Sequence, residues 1–363
     1  MSRICTCEQV SRGHVDKICD QIADAIVTDC LKHDKHSRVA IECLMKKNAI
    51  VIAGEITSRH EPDYASLVSR VLSRIGLDGL YDKINLKVLV TKQSPDIAMG
   101  VDSGGAGDQG ILYGYATNET PELLPIPFAV ATRFIRRLEE TNCRMLRPDA
   151  KAQVSFDYES GRITTFLCSV QHTEDSDVED FRPVIESLMV LTASEYGLNT
   201  DFEKLINPTG RFVMGGSEAD TGVTGRKLAC DTYGGCARNA CGALSGKDAT
   251  KVDRSGAYMA RKIARDLVLA GYCDKCEVQL AYAIGKAEPL SVSVYTFGTS
   301  RMRPDFYDSY IAENYDLTPR GIIRELHLLD VDYNKVSAGG HFGKPGLPWE
   351  MDDAAIGYMY GEE

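Results

Sequence analysis

The spacing of hydrophobic residues predicts one structural unit that recurs along the chain. Apolar positions between residues 18 and 26 fall on one face of a helix. Two alternating runs, RVAIECLM and IVIAGEIT, follow around a Lys-Lys-Asn turn and predict a β-hairpin. A second helix is predicted between Pro62 and Gly76, residue types that begin and end helices. The unit is therefore a helix, a hairpin and a helix.

Two further copies of this unit follow. The second has a helix near 126–138, a hairpin at 153–172 and a helix at 178–196. The third has a helix at 252–269, a hairpin formed by VQLAYAIG and LSVSVYTFG, and helical patterns between 306 and 329. This recurrence predicts an α/β (α+β) fold with three similar domains, each a mainly antiparallel sheet with helices on one face.

The predicted domains are residues 1–100, 101–229 and 230–363, and we expect these units to be interleaved in space. The sheet faces opposite the helices are also predicted to be partly apolar. Because exposed apolar faces are unfavourable, we infer an oligomer in which they meet a second subunit. The residues assigned to these faces are Ile41, Val51, Val154, Phe166, Val278 and Val292.

One long stretch, residues 207–253, lacks this periodicity and combines glycines with charged residues. Glycine allows backbone N–H groups to approach a polyanion closely, and Arg and Lys neutralise it. The alternative is a long solvated loop, but its ordered turn signals and aromatic residues make a phosphate-rich ligand the better interpretation. The charged positions that we single out in it are Arg211, Asp220, Arg226, Lys227, Asp231, Lys247, Lys251 and Asp253.

Composition narrows the function classes. The net charge of −11 argues against binding to nucleic acid or to an anionic membrane surface. The N-terminal residues lack the apolar core of a secretory signal, so we expect a cytoplasmic protein with reduced thiols. Cys273 and Cys276 form a CxxC motif, but no second pair completes a tetrahedral site, so structural zinc is not predicted there.

Three aspartates on the first helix raise the question of a metal site. Asp16, Asp20 and Asp24 share one helix face, and we interpret Asp20 and Asp24 as solvated residues near a helix N-terminus. Asp16 is a candidate magnesium ligand, because carboxylates together with phosphate oxygens suit a hard cation. His14 is equally well interpreted as a site residue or as an ordinary hydrogen-bonding histidine. Between strands, Lys92–Gly110 suits either a mobile lid or a plain connection.

Eleven motifs, in order from residue 8 to about 350, resemble the S-adenosylmethionine synthetase (methionine adenosyltransferase) family. They are GHVDK at Gly13, GEIT at Gly54, KQSPDI at Lys92, GAGDQG at Gly105, RPDAK at Arg147, NPTGRF at Asn207, DTGVTGRK at Asp220, DTYGG at Asp231, SGKD at Ser245, KVDRS at Lys251 and GHFG at Gly340. The resemblance implies three similar domains around a pseudo-threefold axis. It also implies a homodimer whose active sites are shared between the two subunits. A homotetramer would contain two such dimers.

The resemblance further implies a reaction. The sulfur of methionine attacks C5′ of ATP to give S-adenosylmethionine, and the bound triphosphate is hydrolysed to pyrophosphate and phosphate. Two Mg²⁺ ions per site and K⁺ are the implied cofactors. Sulfur is already a neutral nucleophile, so the site must mainly align the reactants and stabilise charge on the leaving triphosphate.

The same resemblance implies site residues, which are carried over motif by motif. The catalytic residues would be His14, Lys151, Arg226 and Lys247. ATP would be bound by His14, Asp149, Lys151, Arg211, Phe212, Asp220, Arg226, Lys227, Ala243, Lys247 and Ile284. Methionine would be bound by Glu55, Gln93, Asp220 and Lys251. Asp16 and Asp253 would hold magnesium, and Glu42 would hold potassium. Asp108 resembles a site position whose role stays open.

The sequence also departs from the family pattern. Val15 replaces a usual proline, residues 239–248 read NACGALSGKD where HGGGAFSGKD is usual, and the loop after Gln93 is shorter. Two other functions are therefore kept: an ATP or triphosphate hydrolase, and a nucleotide-binding regulatory homologue with weak or no catalysis. The charged positions expected to act in catalysis are all present, so we favour the active synthetase.

Overall fold

A computed structural model describes residues 4–77, 84–93, 104–240 and 242–360. Its strands are β1 (Ile4–Val10), β2 (Arg38–Lys46), β3 (Ala49–Thr57), β4 (Asn85–Thr91), β5 (Gly110–Thr117), β6 (Leu146–Asp157), β7 (Arg162–His172), β8 (Glu203–Ile206), β9 (Gly222–Val223), β10 (Lys275–Tyr282) and β11 (Ser291–Tyr295). Its α-helices are α1 (Val15–His33), α2 (Tyr64–Ile75), α3 (Ile126–Glu140), α4 (Val178–Glu195), α5 (Gly216–Ala219), α6 (Leu228–Asp231), α7 (Val252–Leu269), α8 (Phe306–Asn314), α9 (Pro319–Glu325) and α10 (Asp353–Tyr360).

The strands form three sheets that share one plan. The orders are β4-β3-β2-β9, β8-β7-β6-β1 and β11-β10-β5. Each sheet is built on a hairpin, and the strand beside the hairpin's first strand comes from a distant part of the chain. Two pairs, β3 with β4 and β7 with β8, are parallel and joined through a helix, while the other pairs are antiparallel. The predicted mainly antiparallel sheets with helices are therefore confirmed.

The exchanged strands link the three predicted units. β1 pairs with β6, β5 pairs with β10, and β9 pairs with β2. Each of these pairs crosses one of the boundaries drawn from the sequence. Each sheet therefore contains one strand from another predicted unit.

The helix ends follow local sequence signals. The side chain of Asp63 accepts a hydrogen bond from Ser66 N at the start of α2, and Gly76, with φ of 83°, ends that helix. Asp177 and Asp180 form a reciprocal capping box at the start of α4. These caps explain why the helix boundaries could be predicted closely.

The assignment of apolar residues to the open sheet faces was largely wrong. Ile41, Val154, Phe166 and Val278 are almost fully buried in the core, and Val292 also packs against it. Only Val51 lies on the open face of its sheet, opposite the exposed Leu44. Strand alternation separates two faces, but it does not tell which face the helices cover.

The interpretation of Asp20 and Asp24 as solvated residues is also wrong, because both are fully buried. Asp16, Asp20 and Asp24 each accept a backbone N–H from the glycine-rich stretch: Val223 N at 2.9 Å, Gly225 N at 2.8 Å and Gly246 N at 2.9 Å. One face of α1 therefore fixes the stretch by hydrogen bonds at three successive turns.

Buried cations balance two of these carboxylates. Lys17 lies 3.0 Å from Asp20 and also pairs with Asp231, and Arg254 pairs with Asp24 at 2.5 Å. Gly246 adopts a φ of 84°, and a Cβ there would lie 2.0 Å from the carbonyl oxygen of Ile41. The stretch is thus packed into the fold, which excludes a long solvated loop for these residues.

Part of the predicted lid lies outside the described residues, namely 94–103. Of its described part, Ala106 forms a bridge with Ile284, and Gly107 and Asp108 line a cleft. Cys241, one of the departures from the family pattern, is also outside the described residues.

Candidate active site

A first group of charged residues surrounds the start of α1. Its members come from the α1 N-terminus, from β6 and from the glycine-rich stretch. We name it the His14 group; it consists of His14, Asp16, Asp149, Lys151, Asp220, Arg226 and Lys227.

Asp16 is the centre of the His14 group. Its Oδ2 lies 2.6 Å from Lys227 Nζ, and its Oδ1 lies 3.7 Å from Arg226 Nε. The Nδ1 atom of His14 accepts a hydrogen bond from Asp16 N, which caps the helix. That bond leaves the Nε2 nitrogen of His14 to carry the proton of the neutral ring.

The electrostatics of His14 favour its neutral form. Burial lowers the pKa of His14 from 6.5 to about 4, and the charges of Lys227 and Lys151 act in the same direction. Asp16 and Asp220 oppose this shift. A neutral imidazole with a fixed tautomer can donate one hydrogen bond to an oxygen acceptor near neutral pH.

Two further carboxylates complete the His14 group. Asp149 accepts a hydrogen bond from Gly216 N at 2.7 Å, while its other oxygen is buried without a partner. Burial raises the pKa of Asp149, opposed by that hydrogen bond and by Lys151. Asp220 is exposed, and the N–H of Thr221 and the charges of Arg226 and Lys151 lower its pKa. Lys151, Arg226 and Lys227 therefore bring fixed positive charge to one place.

A second group lines a cleft of about 160 Å³ between the β2–β3 hairpin and the start of α7. Lys247 pairs with Asp253 at 2.5 Å, and Lys251 pairs with Asp248 at 2.8 Å. Glu55, Gln93 and Asp108 contribute to the same lining. With Glu42 beside it, we name this set the Lys247 group; it consists of Glu42, Glu55, Gln93, Asp108, Lys247, Lys251 and Asp253.

Backbone contacts hold the Lys247 group in place. Asp248 is fully buried and accepts hydrogen bonds from Val39 N at 2.7 Å and from Thr250 N at 2.8 Å. A Cβ at Gly242 would lie 2.4 Å from Asp253 Oδ2, so a larger residue there would displace that carboxylate. The altered segment 239–244 keeps a glycine at this position.

Glu42 and Glu55 project from the open face of the first sheet. They share this face with the exposed Leu44 and Leu89, which keep 41% and 50% of their surface accessible. Partial desolvation raises the pKa of Glu42, Glu55 raises it further, and Lys247 opposes the shift. Part of the Lys247 group thus lies on an uncovered, partly apolar surface.

The two groups make no direct polar contact with each other within the described part of one chain. Over the described ranges, no hydrogen bond or ion pair joins a member of the His14 group to a member of the Lys247 group. Asp220, assigned to both ATP and methionine, belongs to the His14 group and not to the cleft with Glu55, Gln93 and Lys251.

Four other predicted ATP residues lie outside both groups. Arg211 pairs with Glu174 at 3.2 Å, and Phe212 N donates to His172 Nε2 at 2.9 Å. Ile284 is 59% exposed and bridges to Ala106, next to the Gly107 and Asp108 lining of the cleft. Ala243 touches Gly225, where a Cβ would lie 2.4 Å from that of Ala243. Because residue 225 is a glycine, Ala243 can pack directly against it, next to Arg226.

Sequence reasoning missed the residues that hold these groups. Asp20, Asp24 and Asp248 fix the glycine-rich stretch through backbone amides. For Asp20 and Asp24 the sequence held a partial signal, since aspartates four residues apart on a helix lie on one face. Their partners are more than 200 residues away in the chain, which no local pattern reveals.

Carboxylate oxygens of both groups suit magnesium, which prefers oxygen ligands. Asp16 and Asp253 are each already balanced by a lysine, Lys227 and Lys247 respectively. Each group therefore offers one carboxylate to a hard divalent cation, whose other ligands would be phosphate oxygens and water.

Comparison with known proteins covers nearly the whole chain. Family models match residues 2–95, 103–212 and 214–351, described as the N-terminal, central and C-terminal domains of S-adenosylmethionine synthetase. A Mesoplasma florum protein is 44% identical, with 97% of this chain and 98% of the relative covered. Proteins of Mycoplasma capricolum subsp. capricolum and Mycoplasma mycoides subsp. mycoides SC are each 45% identical, covering 97% of this chain and 95% of the relative. All three are named S-adenosylmethionine synthase.

These matches identify the protein class as a three-domain α/β transferase. The chain belongs to the S-adenosylmethionine synthetase family. Within the described ranges, every helix is too short or too polar to cross a membrane.

Proposed function

We propose that the His14 group and the Lys247 group are the two halves of one active site, each half contributed by a different subunit. As a member of its family, the enzyme makes S-adenosylmethionine from ATP and L-methionine. The two groups bind and align the substrates, and the released triphosphate is hydrolysed at the same site.

On one chain the two groups have no direct polar contact, and each offers only part of what the reaction needs. The reaction needs methionine and ATP in one site, because the methionine sulfur and C5′ of ATP must approach to about 3–3.5 Å. Glu42 and Glu55 lie on an open sheet face beside exposed leucines, a surface that favours a partner. We infer that a second copy placed there brings its own His14 group to the cleft, and twofold symmetry would then form two equal sites. A homodimer suffices for this arrangement, and a homotetramer would repeat it.

The His14 group suits the triphosphate of ATP. Lys151, Arg226 and Lys227 supply positive charge, and neutral His14 offers a hydrogen bond from Nε2 to the ribose or phosphate oxygens. Such fixed donors and charges stabilise the negative charge that develops as triphosphate leaves. Asp149 accepts from Gly216 N and keeps a second oxygen free to bind the nucleotide. Arg211, Phe212, Ala243 and Ile284 are proposed to contact ATP from the rim.

The Lys247 group suits methionine and the far end of the triphosphate. Glu55, Gln93 and Lys251 line one small cleft, and opposite charges there match the amino and carboxylate groups of an amino acid. Asp220 of the other subunit would add to the binding of the amine. Lys247, next to Asp253, would place one more positive charge on triphosphate.

Metal ions have places in this scheme. We propose that Asp16 and Asp253 hold Mg²⁺ together with phosphate oxygens, and that Glu42 binds K⁺. Bound magnesium would supply further charge neutralisation on the triphosphate. Lys227 and Lys247 already hold these two carboxylates in fixed positions.

The chemical step itself asks little of the protein. The methionine sulfur attacks C5′ of ATP, the bond from C5′ to the triphosphate oxygen breaks, and its electron pair leaves with the triphosphate. No proton has to be removed from the sulfur, so this step needs no general base, and the cations of both groups serve the leaving triphosphate. Alignment of the two substrates can supply about 7–11 kcal/mol of the barrier reduction.

The two other functions are not favoured. A hydrolase would not need the cleft of Glu55, Gln93 and Lys251, and a regulatory homologue would not need all the paired charges of both groups. The relatives that match nearly the full chain are named synthases.

The test is direct. Purified protein is incubated with ATP, methionine, Mg²⁺ and K⁺, and the product is identified by mass spectrometry. We expect S-adenosylmethionine, with phosphate and pyrophosphate formed in the same reaction. Phosphate release that is equal without methionine, with no S-adenosylmethionine, would instead establish a hydrolase. Omission of Mg²⁺ and of K⁺ in separate reactions tests the two proposed ions.

A further inference from the structure

Three thiols from distant parts of the chain converge at one point away from both site groups. Cys5 and Cys7 lie on β1, and Cys236 lies in the turn after α6. The Sγ atom of Cys236 lies 2.7 Å from that of Cys5 and 3.1 Å from that of Cys7. All three sulfur atoms lie within 4.8 Å of one another. We name this set the thiol cluster.

The fold produces the thiol cluster by two local devices. Residues two apart on a strand point to the same side, so Cys5 and Cys7 present their sulfurs together. Gly234 and Gly235 adopt φ values of 67° and 99°, and a Cβ at Gly234 would lie 2.9 Å from the Cβ of Cys7. The turn backbone therefore rests directly on β1 and carries Cys236 across it.

The surroundings of the thiol cluster allow an ion to enter. Cys5 and Cys236 are partly exposed, while Cys7 is only 1% exposed and closes the inner side. A cation with high affinity for sulfur would offset the negative charge of three thiolates held this close together.

We propose that Cys5, Cys7 and Cys236 form a metal site that binds one Zn²⁺ ion through three thiolates, with a fourth position open to solvent. Soft thiolate ligands select ions such as Zn²⁺ or Cu⁺, and the divalent ion offsets more of the negative charge here. Binding converts three thiols into three thiolates and releases three protons, with no change in oxidation state.

The geometry needs only a small adjustment. Zn–S bonds are about 2.3 Å long, which separates sulfurs around a tetrahedral ion by roughly 3.8 Å. The sulfur of Cys236 would therefore withdraw from β1 by roughly 1 Å. β1 is fixed by its pairing with β6, whereas Gly235, directly before Cys236, has open space around it and leaves the turn room to shift.

The CxxC motif is a weaker candidate for the same ion. Cys273 and Cys276 are both buried, and Cys276 Sγ donates to the carbonyl oxygen of Ala264 at 3.5 Å. No third metal-ligating side chain joins this pair within the described ranges. The two motifs can therefore be distinguished by mutation.

The experiment uses the whole reduced protein after removal of bound metal by a chelator. Cd²⁺ is titrated while its thiolate charge-transfer absorption is followed, and Zn²⁺ affinity is measured by competition with a chromogenic chelator. We expect one ion per chain, proton release on binding, and a higher Tm with Zn²⁺. Cys236→Ser should weaken binding by at least about tenfold, because one of three ligands is lost. Cys143→Ser, at a partly exposed thiol outside the cluster, is the matched control.

Several outcomes would overturn the proposal. They are the absence of Cd²⁺ absorption in wild type, equal Zn²⁺ affinity in Cys236→Ser and wild type, and loss of binding in Cys273→Ser instead. Far-ultraviolet circular dichroism checks folding, and Cys5→Ser, at the more exposed end of β1, repeats the test if Cys236→Ser does not fold. The proposed function does not enter this test, since neither ATP nor methionine is present.

Discussion

The His14 group and the Lys247 group differ in how completely one chain builds them. His14 and Asp16 are buried at the start of α1, and hydrogen bonds to backbone amides fix them. Glu42 and Glu55 instead stand on an open sheet face. One chain thus holds the cations of the His14 group in fixed positions, whereas part of the Lys247 group lies on a surface that its own chain leaves open. This is why we place the active site between subunits.

One helix connects the two groups. Asp16 and Asp20 on α1 accept hydrogen bonds from Val223 N and Gly225 N, which shortly precede Arg226 and Lys227 of the His14 group. Asp24, one turn further, holds Gly246, the residue before Lys247. A change on α1 can therefore affect either group, depending on which turn it alters.

The largest effect is expected from Asp24→Ala, which separates the Lys247 group from α1. The buried Arg254 would lose its partner at 2.5 Å, and Gly246 N would lose its acceptor. Breaking a buried ion pair by removing one partner typically costs about 3–5 kcal/mol. Urea unfolding should show this loss in the free energy of unfolding. The control is Asp308→Ala, at an exposed residue of α8, and a loss below about 1 kcal/mol would show that the buried pair does not stabilise the fold.

The next effect concerns one cation from each group. Lys247→Ala and Arg226→Ala should each lower kcat by about 10²–10³-fold, since one fixed contact to a developing anion is worth about 2.7–4 kcal/mol. Stability should change far less, because neither side chain lies in the core. Steady-state kinetics with unfolding curves for the same proteins separates the two effects.

The matched control for these two variants is Arg303→Ala. Its side chain is 87% exposed and pairs only loosely with Asp305 at 3.8 Å. Near-normal turnover in both well-folded variants would place the triphosphate elsewhere. Loss in only one of them would show that one group acts without the other.

A smaller effect should appear in the pH dependence of stability. The folded-state pKa of His14 is lowered from 6.5 to about 4, mainly by burial. The unfolded chain therefore binds more protons than the folded chain in that range. The contribution of neutral, buried His14 to the free energy of unfolding is complete above about pH 6.5 and is lost as the pH falls towards 4. His14→Gln removes this titration, so its free energy of unfolding should fall less steeply than wild type over that range. Parallel curves would mean that His14 is not shielded from solvent.

The sequence predicted elements well and packing poorly. The helix at 252–269 matches α7, and the hairpins at RVAIECLM and IVIAGEIT match β2 and β3, because periodicity and caps are local properties. The core positions of Ile41 and Phe166 were missed, since alternation alone does not identify the covered face.

Long-range partnerships were beyond local reasoning for the same reason. Asp20 meets Gly225 across 205 residues, and Cys5 meets Cys236 across 231. The family resemblance supplied candidate site residues, but not their division into two groups. That division appears only once the chain is folded.

Subunit exchange between two inactive variants shows whether one active site takes residues from two chains. Asp16→Asn inactivates the His14 group, and Lys247→Ala inactivates the Lys247 group. If one site takes these groups from different chains, each mixed dimer holds one intact site. Random exchange of equal amounts should then restore roughly a quarter of wild-type activity. Native mass spectrometry verifies the mixed dimers. Mixed dimers that form but stay inactive would contradict a site shared between subunits.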